Sequence, residues 1–330
     1  MKLFLAEKLP FYQTIDIISE DASVSRNKLA VDTLKLVEKI KDCDAVLVPH
    51  DAYEFSKNNE YLKYLKFLSK HKLIIYSDRS DFSIQPKIKN SISLRVSLNP
   101  GERKINSVIV PYNIIFRKDI KIRNLSNSPL ISFVGYMPKL FSPKRFFKSI
   151  TQSPFHPILG NGAFVRKLSI QKCSNDLPNF NYIKRSSYFT SESNRDIRSV
   201  NQLEYLEAMR NSDMVLAPRG DANQSVRFYE ALSEGRIVLI PNSLMTFPYV
   251  LNETQIFNSY CLIFNIFSTN LNKLVHGYWS KFTSQNHYEK LQRQIRDFYI
   301  KELEFTTFIK NLFEKDVNHL KDVAIFQLKQ

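Results

Sequence analysis

Residues 213–241 read DMVLAPRGDANQSVRFYEALSEGRIVLIP, and this stretch decides the fold class. Met214–Ala217 is a short apolar run without a polar interruption, as expected of a buried strand. Pro218-Arg219-Gly220-Asp221 breaks the run with turn-forming residues. Asn223 and Ser225 are good helix N-cap residues, and a short helical stretch follows them. Gly235 suits the position just past a helix C-terminus, where the backbone turns left-handed. Ile237–Ile240 is a second apolar run. Strand, loop, helix, glycine and strand in this order form one βαβ unit of an α/β protein.

The same alternation extends outward. In the first half, strands are expected at Lys2–Leu5, Ala45–Pro49, Leu73–Tyr76, Ile92–Val96 and Val108–Val110. Between them, Ser25–Ile40 places Leu29, Val31, Leu34, Leu36 and Val37 on a broad helical face, and Tyr61–Leu68 carries a second one. The polar stretch Arg117–Pro129 has no clear period and reads as the link between two domains. A second α/β unit opens at Leu130–Val134 and Gly135, with its first helix expected over Pro143–Ser149. Thr151–Ser199, rich in Ser, Asn, Pro and Arg, leaves its own structure open. A helix returns at Gln202–Arg210, and after Cys261–Phe267 the chain reads as helical to its end. The expected organisation is a first domain over 1–125, a second domain over 126–300, and helices over 301–330 that return to the first.

Composition agrees with this reading. At about 150 residues per domain, 330 residues suggest two domains. Hydrophobic residues at 43% and charged residues at 24% exclude disorder, collagen and coiled coil as the main architecture. The 25 Phe and 16 Tyr give bulk for two cores. Cys43, Cys173 and Cys261 are odd in number and far apart, which fits reduced thiols and not a disulfide framework. The opening MKLFLAEKLP is too short an apolar run for a secretory segment. Nowhere does an uncharged apolar run reach the length of a spanning helix. A cytoplasmic protein is therefore expected. The 47 Lys and Arg exceed the 32 Asp and Glu by 15, which invites polyanionic partners: nucleic acid, an anionic membrane face or phosphate-bearing substrates.

Several chemistries lack their motifs. There is no G-x-G-x-x-G, no P-loop, no H-E-x-x-H and no G-x-S-x-G. The histidines His50, His71, His156, His276, His287 and His319 never fall at metal-ligand spacing. Asp42-Cys43-Asp44 has the D-x-D form of some metal-dependent glycosyltransferases. It precedes the run Ala45–Val48, however, whereas a metal-binding pair should follow a strand.

What the quoted stretch does offer is an anion site. Ligands of open α/β sheets bind at the carboxyl ends of strands, where Pro218–Ser225 would lie. Gly220 permits close backbone approach, and a helix N-terminus favours an anion. Arg227 in the first helical turn opposes the helix dipole, and a bound phosphate would compensate it. Glu230 lies on the same helical face, placed to bond sugar hydroxyls. A generic crossover with an Arg227–Glu230 surface pair fits the same residues.

The wording goes further. Pro218-Arg219-Gly220-Asp221, Asn223, Ser225, Arg227, Glu230-Ala231-Leu232, Gly235-Arg236-Ile237 and Pro241 together resemble the signature of the exostosin family. Weaker echoes are Phe133-Val134-Gly135, Ala45–Pro49, Leu73–Asp78, Tyr205 to Asp213 and Phe247-Pro248. Together with the signature they run from Ala45 to Pro248, and only the signature is specific. The strand Met214-Val215-Leu216-Ala217 lacks the family's aromatic- and Cys-bearing pattern, and the animal members' membrane anchor and stem are missing.

The resemblance implies an inverting glycosyltransferase of GT-B architecture, two Rossmann-like domains facing a cleft, with the C-terminal helices crossing back to the first. It implies a nucleotide-diphosphate sugar donor, expected to be a UDP-sugar, and a glycan acceptor that lipid-carried glycans could supply. The net charge of +15 adds an expectation of peripheral association with an anionic membrane face through Lys63, Lys66, Lys70 and Lys72 around Tyr61–Leu68, with a solvated helix face as the other reading. No cofactor and no metal are expected, so Arg and Lys side chains must meet the leaving diphosphate. Arg227 is the first choice, with Arg219 or Arg145 in support, and Gly135, Pro218, Gly220, Asp221, Asn223, Ser225 and Glu230 complete the donor set. The general base should stand at the carboxyl end of a strand in the first domain. Asp78, Asp51 and His50 meet that condition, and Asp78 ranks first because it matches the family's Asp position. The rival readings are a fucosyl- or heptosyl-type GT-B transferase and a basic nucleic-acid-binding protein. The second rival lacks any helix-turn-helix, aromatic ribonucleoprotein or zinc-finger motif.

Overall fold

The computed structural model describes residues 1–9, 34–78, 86–96, 98, 106–114, 116–137, 158–186, 195–220, 223–252 and 257–328. In chain order the elements begin with β1 (Lys2–Leu5), β2 (Lys35–Val37), β3 (Ala45–Asp51), α1 (Asn59–Leu68), β4 (Leu73–Asp78), β5 (Ser91–Arg95) and β6 (Ser107–Ile109). They continue with β7 (Ile131–Tyr136), α2 (Gly162–Asp176), β8 (Phe180–Arg185), α3 (Arg195–Arg210), β9 (Met214–Leu216), α4 (Val226–Ser233), β10 (Ile237–Pro241) and β11 (Cys261–Phe264). Last come α5 (Leu271–Trp279), α6 (Gln285–Phe298), α7 (Phe305–Glu314) and α8 (Val317–Leu328).

The chain divides into two compact units. The first comprises Met1–Asn113, Thr246–Glu253 and Glu302–Gln330, and the second comprises Ile114–Met245 and Thr254–Lys301. The first unit thus ends before position 125, and it includes a short returning segment, Thr246–Glu253, that no sequence signal marks.

The first unit is built on a parallel sheet ordered β2-β1-β3-β4-β5-β6. Its strands are apolar at successive positions because both faces are covered, as parallel sheets require. Leu47, Ile75 and Leu94 pack with Phe308, Ile309, Leu312 and Leu320 of α7 and α8. Val46, Val48, Ile74 and Tyr76 point the other way and pack with Tyr61, Leu65 and Leu68 of α1. Adjacent strand residues thus serve opposite layers, following the two-residue period of a strand.

One expectation fails here. The helix read over Ser25–Ile40 is contradicted at its C-terminal part, where Lys35–Val37 is strand β2, paired parallel to β1 with Leu36 beside Leu3. Leu34, Leu36 and Val37 fit either period over so short a run, and the ladder to β1 decides the outcome. Residues 25–33 lie outside the described residues, as does the helix expected at Pro143–Ser149.

The second unit holds a parallel sheet ordered β11-β10-β9-β7-β8. The stretch that the sequence left open contains α2 and β8. Helix α2 starts at Asn161, whose side chain accepts from the backbone N–H groups of Ala163 and Phe164 at 3.0 and 3.3 Å.

Arg117–Pro129 holds neither helix nor strand, as read, but it lies within the second unit and is firmly tied to it. Arg123 donates from Nε to Asp213 at 3.1 Å, and its backbone N–H donates to Gln292 at 2.8 Å. Asp213 also accepts the Leu130 N–H at 2.8 Å and the Tyr288 hydroxyl at 2.9 Å. Gln292 Oε1 further accepts from Arg236 at 2.7 Å. Burial lowers the Arg236 guanidinium to about 10. Gly235 ends α4 with φ +68°, and a Cβ there would stand 2.6 Å from the Gln292 carbonyl oxygen. Only glycine suits both the angle and the space.

Candidate functional site

In the second sheet, β7 and β9 are neighbours while β8 lies on the far side of β7. The strand order reverses between β7 and β9, a switch point beyond whose carboxyl ends ligands of open α/β sheets bind. The residues there are Val134, Gly135 and Tyr136 from β7, and Pro218, Arg219 and Gly220 after β9. Helix α4 begins beside them. Its N-cap, Ser225, makes no side-chain cap hydrogen bond.

Arg227, in the first turn of α4, reaches across to β7. Its Nη2 donates to the Val134 carbonyl oxygen at 2.8 Å. The guanidinium lies over the Phe133 ring at 4.6 Å and the Tyr205 ring at 5.5 Å. A Cβ on Gly135 would stand 2.7 Å from Nη2, so the glycine is what admits the arginine. Nε is buried with no hydrogen-bond partner among the described residues. The cation is thus pinned by backbone and rings at the positive end of a helix, where like charge repels it. An anion at that end removes the conflict.

Glu230 stands one turn further on. Its Oε2 accepts the Tyr205 hydroxyl in a short hydrogen bond. Burial raises its carboxyl above the usual glutamate range, against the opposing pull of the Tyr205 hydrogen bond and the Arg227 charge. Burial likewise raises the Tyr205 hydroxyl well above its ordinary range, and the neighbouring Glu230 adds to this. The surface pair that the sequence allowed is therefore not what forms. Tyr205 stands between Arg227 and Glu230 and engages both.

The other donor-site expectations divide. Gly220 faces a second cation, since a Cβ there would lie 3.7 Å from Arg166 Nη2. Arg219 is 1% exposed, with Nε directed at the Gly220 carbonyl oxygen at 3.4 Å. Pro218 is buried in the same loop. Asn223 serves the loop, donating from Nδ2 to the Leu244 carbonyl oxygen at 2.6 Å. Arg145 and Asp221 lie outside the described residues.

Two residues of this site stand outside the donor set expected from the sequence. Arg166 sits one turn into α2, behind an Asn-Gly helix start in a stretch of unreadable period. Tyr205 shares the inner face of α3 with Met209, four residues on, in the stretch Tyr205 to Asp213 that reads only as a weak echo of the exostosin family.

The three candidate bases all lie at the carboxyl ends of β3 and β4, as expected, but in different states. Asp78 is 2% exposed and ion-paired to Arg95, its neighbour across the β4–β5 ladder, with Nε to Oδ2 at 3.6 Å. Its carboxylate is therefore engaged with Arg95 and is buried within the sheet. His50 is fully buried and accepts the Leu9 N–H at Nε2, 2.8 Å. Asp51 is half-exposed and caps the short helix Ala52–Phe55 by accepting the Tyr53 N–H at 3.0 Å. The strand order reverses between β1 and β3 beside it, a switch point of the kind where ligands of open α/β sheets bind.

Asp42 ends a short 3-10 turn, and Asp44 accepts the Lys2 N–H at 2.6 Å. Among the described residues, no group of three or more His, Cys, Asp or Glu is arranged to hold a metal ion.

No protein-family model matches the chain, and no curated protein matches it in sequence. Among solved structures it is similar to the apo form of the lipopolysaccharide outer core galactosyltransferase WaaB, at 12% identity over 95% of this chain and 99% of that one, TM-score 0.44. It is also similar to AviGT4, a glycosyltransferase involved in avilamycin A biosynthesis, at 10% identity over 98% of each chain, TM-score 0.38. A glycosyltransferase from Rickettsia africae matches at 12% identity over 98% of each chain, TM-score 0.35. At these identities and scores the likeness says nothing of substrate or activity. The fold class stands on the two parallel sheets themselves, each flanked by helices.

Proposed function

We propose that the chain is a glycosyltransferase that binds a nucleoside-diphosphate sugar at the β7–β9 crevice and transfers the sugar to a glycan. The observation that carries this reading is Arg227. It is held by Val134, Phe133 and Tyr205 at a helix N-terminus that it would otherwise destabilise, at the ligand-binding edge of the sheet. Gly135 and Gly220 open that edge, and Arg166 adds a second cation. Such a cradle suits the two phosphates of a leaving diphosphate.

Glu230 lies deeper on the same helix and would take a hydroxyl of the ribose. The exostosin-like wording of residues 218–241 supports an inverting reaction and a UDP-sugar. The acceptor hydroxyl then attacks the anomeric carbon as the bond to the diphosphate breaks, and a base removes the hydroxyl proton. Asp51, half-exposed at the edge of the first sheet, suits that role better than Asp78 or His50. The chain's own cations take the part that a metal plays elsewhere, so the reaction is metal-independent. A cytoplasmic location, at the inner face of a membrane that carries a lipid-linked acceptor, fits the basic surface.

Calorimetric titration with UDP, GDP and ADP, and with a single-stranded oligonucleotide, tests the reading. Binding of one or more nucleoside diphosphates, and not of the oligonucleotide, is expected. Oligonucleotide binding without nucleoside-diphosphate binding overturns it in favour of a nucleic-acid-binding protein.

A further inference from the structure

The two polar groups assigned to the donor come from one helix, α4, yet neither is held in place by it. Arg227 and Glu230 both lean on a third residue from another element. The Tyr205 ring lies 5.5 Å from the Arg227 guanidinium carbon, and its hydroxyl bonds Glu230 Oε2. Tyr205 is itself anchored, because α3 is tied to the neighbouring strand β8. Arg185 of β8 donates to the Asn201 carbonyl oxygen at 3.2 Å and is ion-paired with Glu204.

The consequences for the two partners differ. An aromatic face holds a guanidinium in place without taking its hydrogen-bond donors, so Arg227 keeps N–H groups for an anion. The phenol occupies only one carboxylate oxygen of Glu230. Oε1 has no hydrogen-bond partner among the described residues and is left to accept from a ligand hydroxyl. The single side chain thus spaces a cation from an anion that would otherwise neutralise each other three residues apart on one helix.

We propose that Tyr205 is a positioning residue of the donor site, whose ring sets Arg227 toward phosphate and whose hydroxyl sets Glu230 toward the ribose. This rests on the donor reading above. The two halves of the role separate experimentally, since inorganic pyrophosphate reports the cation alone and a nucleoside diphosphate reports both. In Tyr205→Phe the ring remains and the hydroxyl is lost. Pyrophosphate affinity should stay within about twofold of wild type, while affinity for the tightest-binding nucleoside diphosphate falls roughly tenfold, the worth of one hydrogen bond to a charged group. In Tyr205→Leu the ring is lost as well, and pyrophosphate affinity should fall by about fivefold or more.

Calorimetry with UDP, GDP, ADP and pyrophosphate supplies the affinities, and thermal melting shows that each variant is folded. If Tyr205→Phe leaves both affinities unchanged, or lowers both equally, the positioning role is overturned while the donor site stands. If the wild-type protein binds neither pyrophosphate nor any of the three nucleotides, the donor reading falls, and the role of Tyr205 falls with it.

Discussion

Arg227 Nη2 lies 2.7 Å from the point where a Cβ on Gly135 would stand. The cation and the end of β7 therefore fit together only because position 135 has no side chain. Gly135→Ala should push the flexible end of Arg227 away from the Val134 carbonyl while the strand survives. Nucleoside-diphosphate affinity should fall about tenfold or more with a small change in melting temperature, because one charge-assisted contact is misplaced. Unchanged affinity, measured by calorimetry, would place the anion elsewhere.

Arg227→Ala removes the cation outright. A lost contact to developing charge costs about 2–4 kcal/mol, or roughly 10² to 10³ in rate. Sugar transfer should drop by that factor with the fold intact, and wild-type transfer should persist in EDTA. Full turnover by the variant, or loss of wild-type activity that Mn²⁺ restores, contradicts the proposed site.

Glu230→Gln separates stability from binding. Burial raises the Glu230 carboxyl, so the fold favours its protonated form. The stabilisation linked to that proton is full below the ordinary glutamate range and is lost as pH rises through the raised folded value. Glutamine escapes this loss. The variant should melt above wild type at pH 8, with the gap closing toward pH 5, and should bind nucleoside diphosphates more weakly. A gap that is constant with pH would show that Glu230 titrates as it does in the unfolded chain.

Asp213, at 0% side-chain exposure, holds Arg123, Leu130 and Tyr288 together. Removing one partner of a buried charge cluster leaves the others unpaired, at a cost of about 3–5 kcal/mol. Asp213→Ala should lower the unfolding midpoint in urea by a corresponding amount. A loss below about 1 kcal/mol would mean that the cluster contributes nothing specific.

Lys63 and Lys66 of helix α1 and Lys70 just past its end are exposed around Phe67, which is 60% exposed. Lys72 is turned aside to donate to the Cys43 carbonyl oxygen at 2.5 Å. Each lysine near an anionic leaflet contributes about 1 kcal/mol, screened by salt. We expect flotation with anionic but not neutral liposomes at low salt, weakened by Phe67→Ser and by Lys66→Glu. Equal absence from both liposome types would make these lysines a solvated helix face.

The α/β class, and the strand, loop and helix that carry the proposed anion site, were legible in the sequence because their causes are local. Unbroken apolar runs such as Leu73–Tyr76 and Ile237–Ile240 mark strands covered on both faces. Gly235 marks a helix end, and Arg227 stands out because a first-turn cation opposes the nearest dipole. Strand β2 was misread because three residues cannot distinguish the helical period from the strand period, and its pairing partner lies more than thirty residues away in sequence. The position of Asp78 at a strand end is local information, whereas its ion pair with Arg95 arrives through the β4–β5 ladder. Arg166 lies in a stretch whose structure the sequence leaves open, and Tyr205 in one that gives only a weak family echo. Only the strand order, which sets β7 between β8 and β9, brings α2, α3 and α4 to one end of the sheet. That adjacency depends on pairing between distant segments, which no single stretch of sequence encodes, and it makes Tyr205 the common support of Arg227 and Glu230.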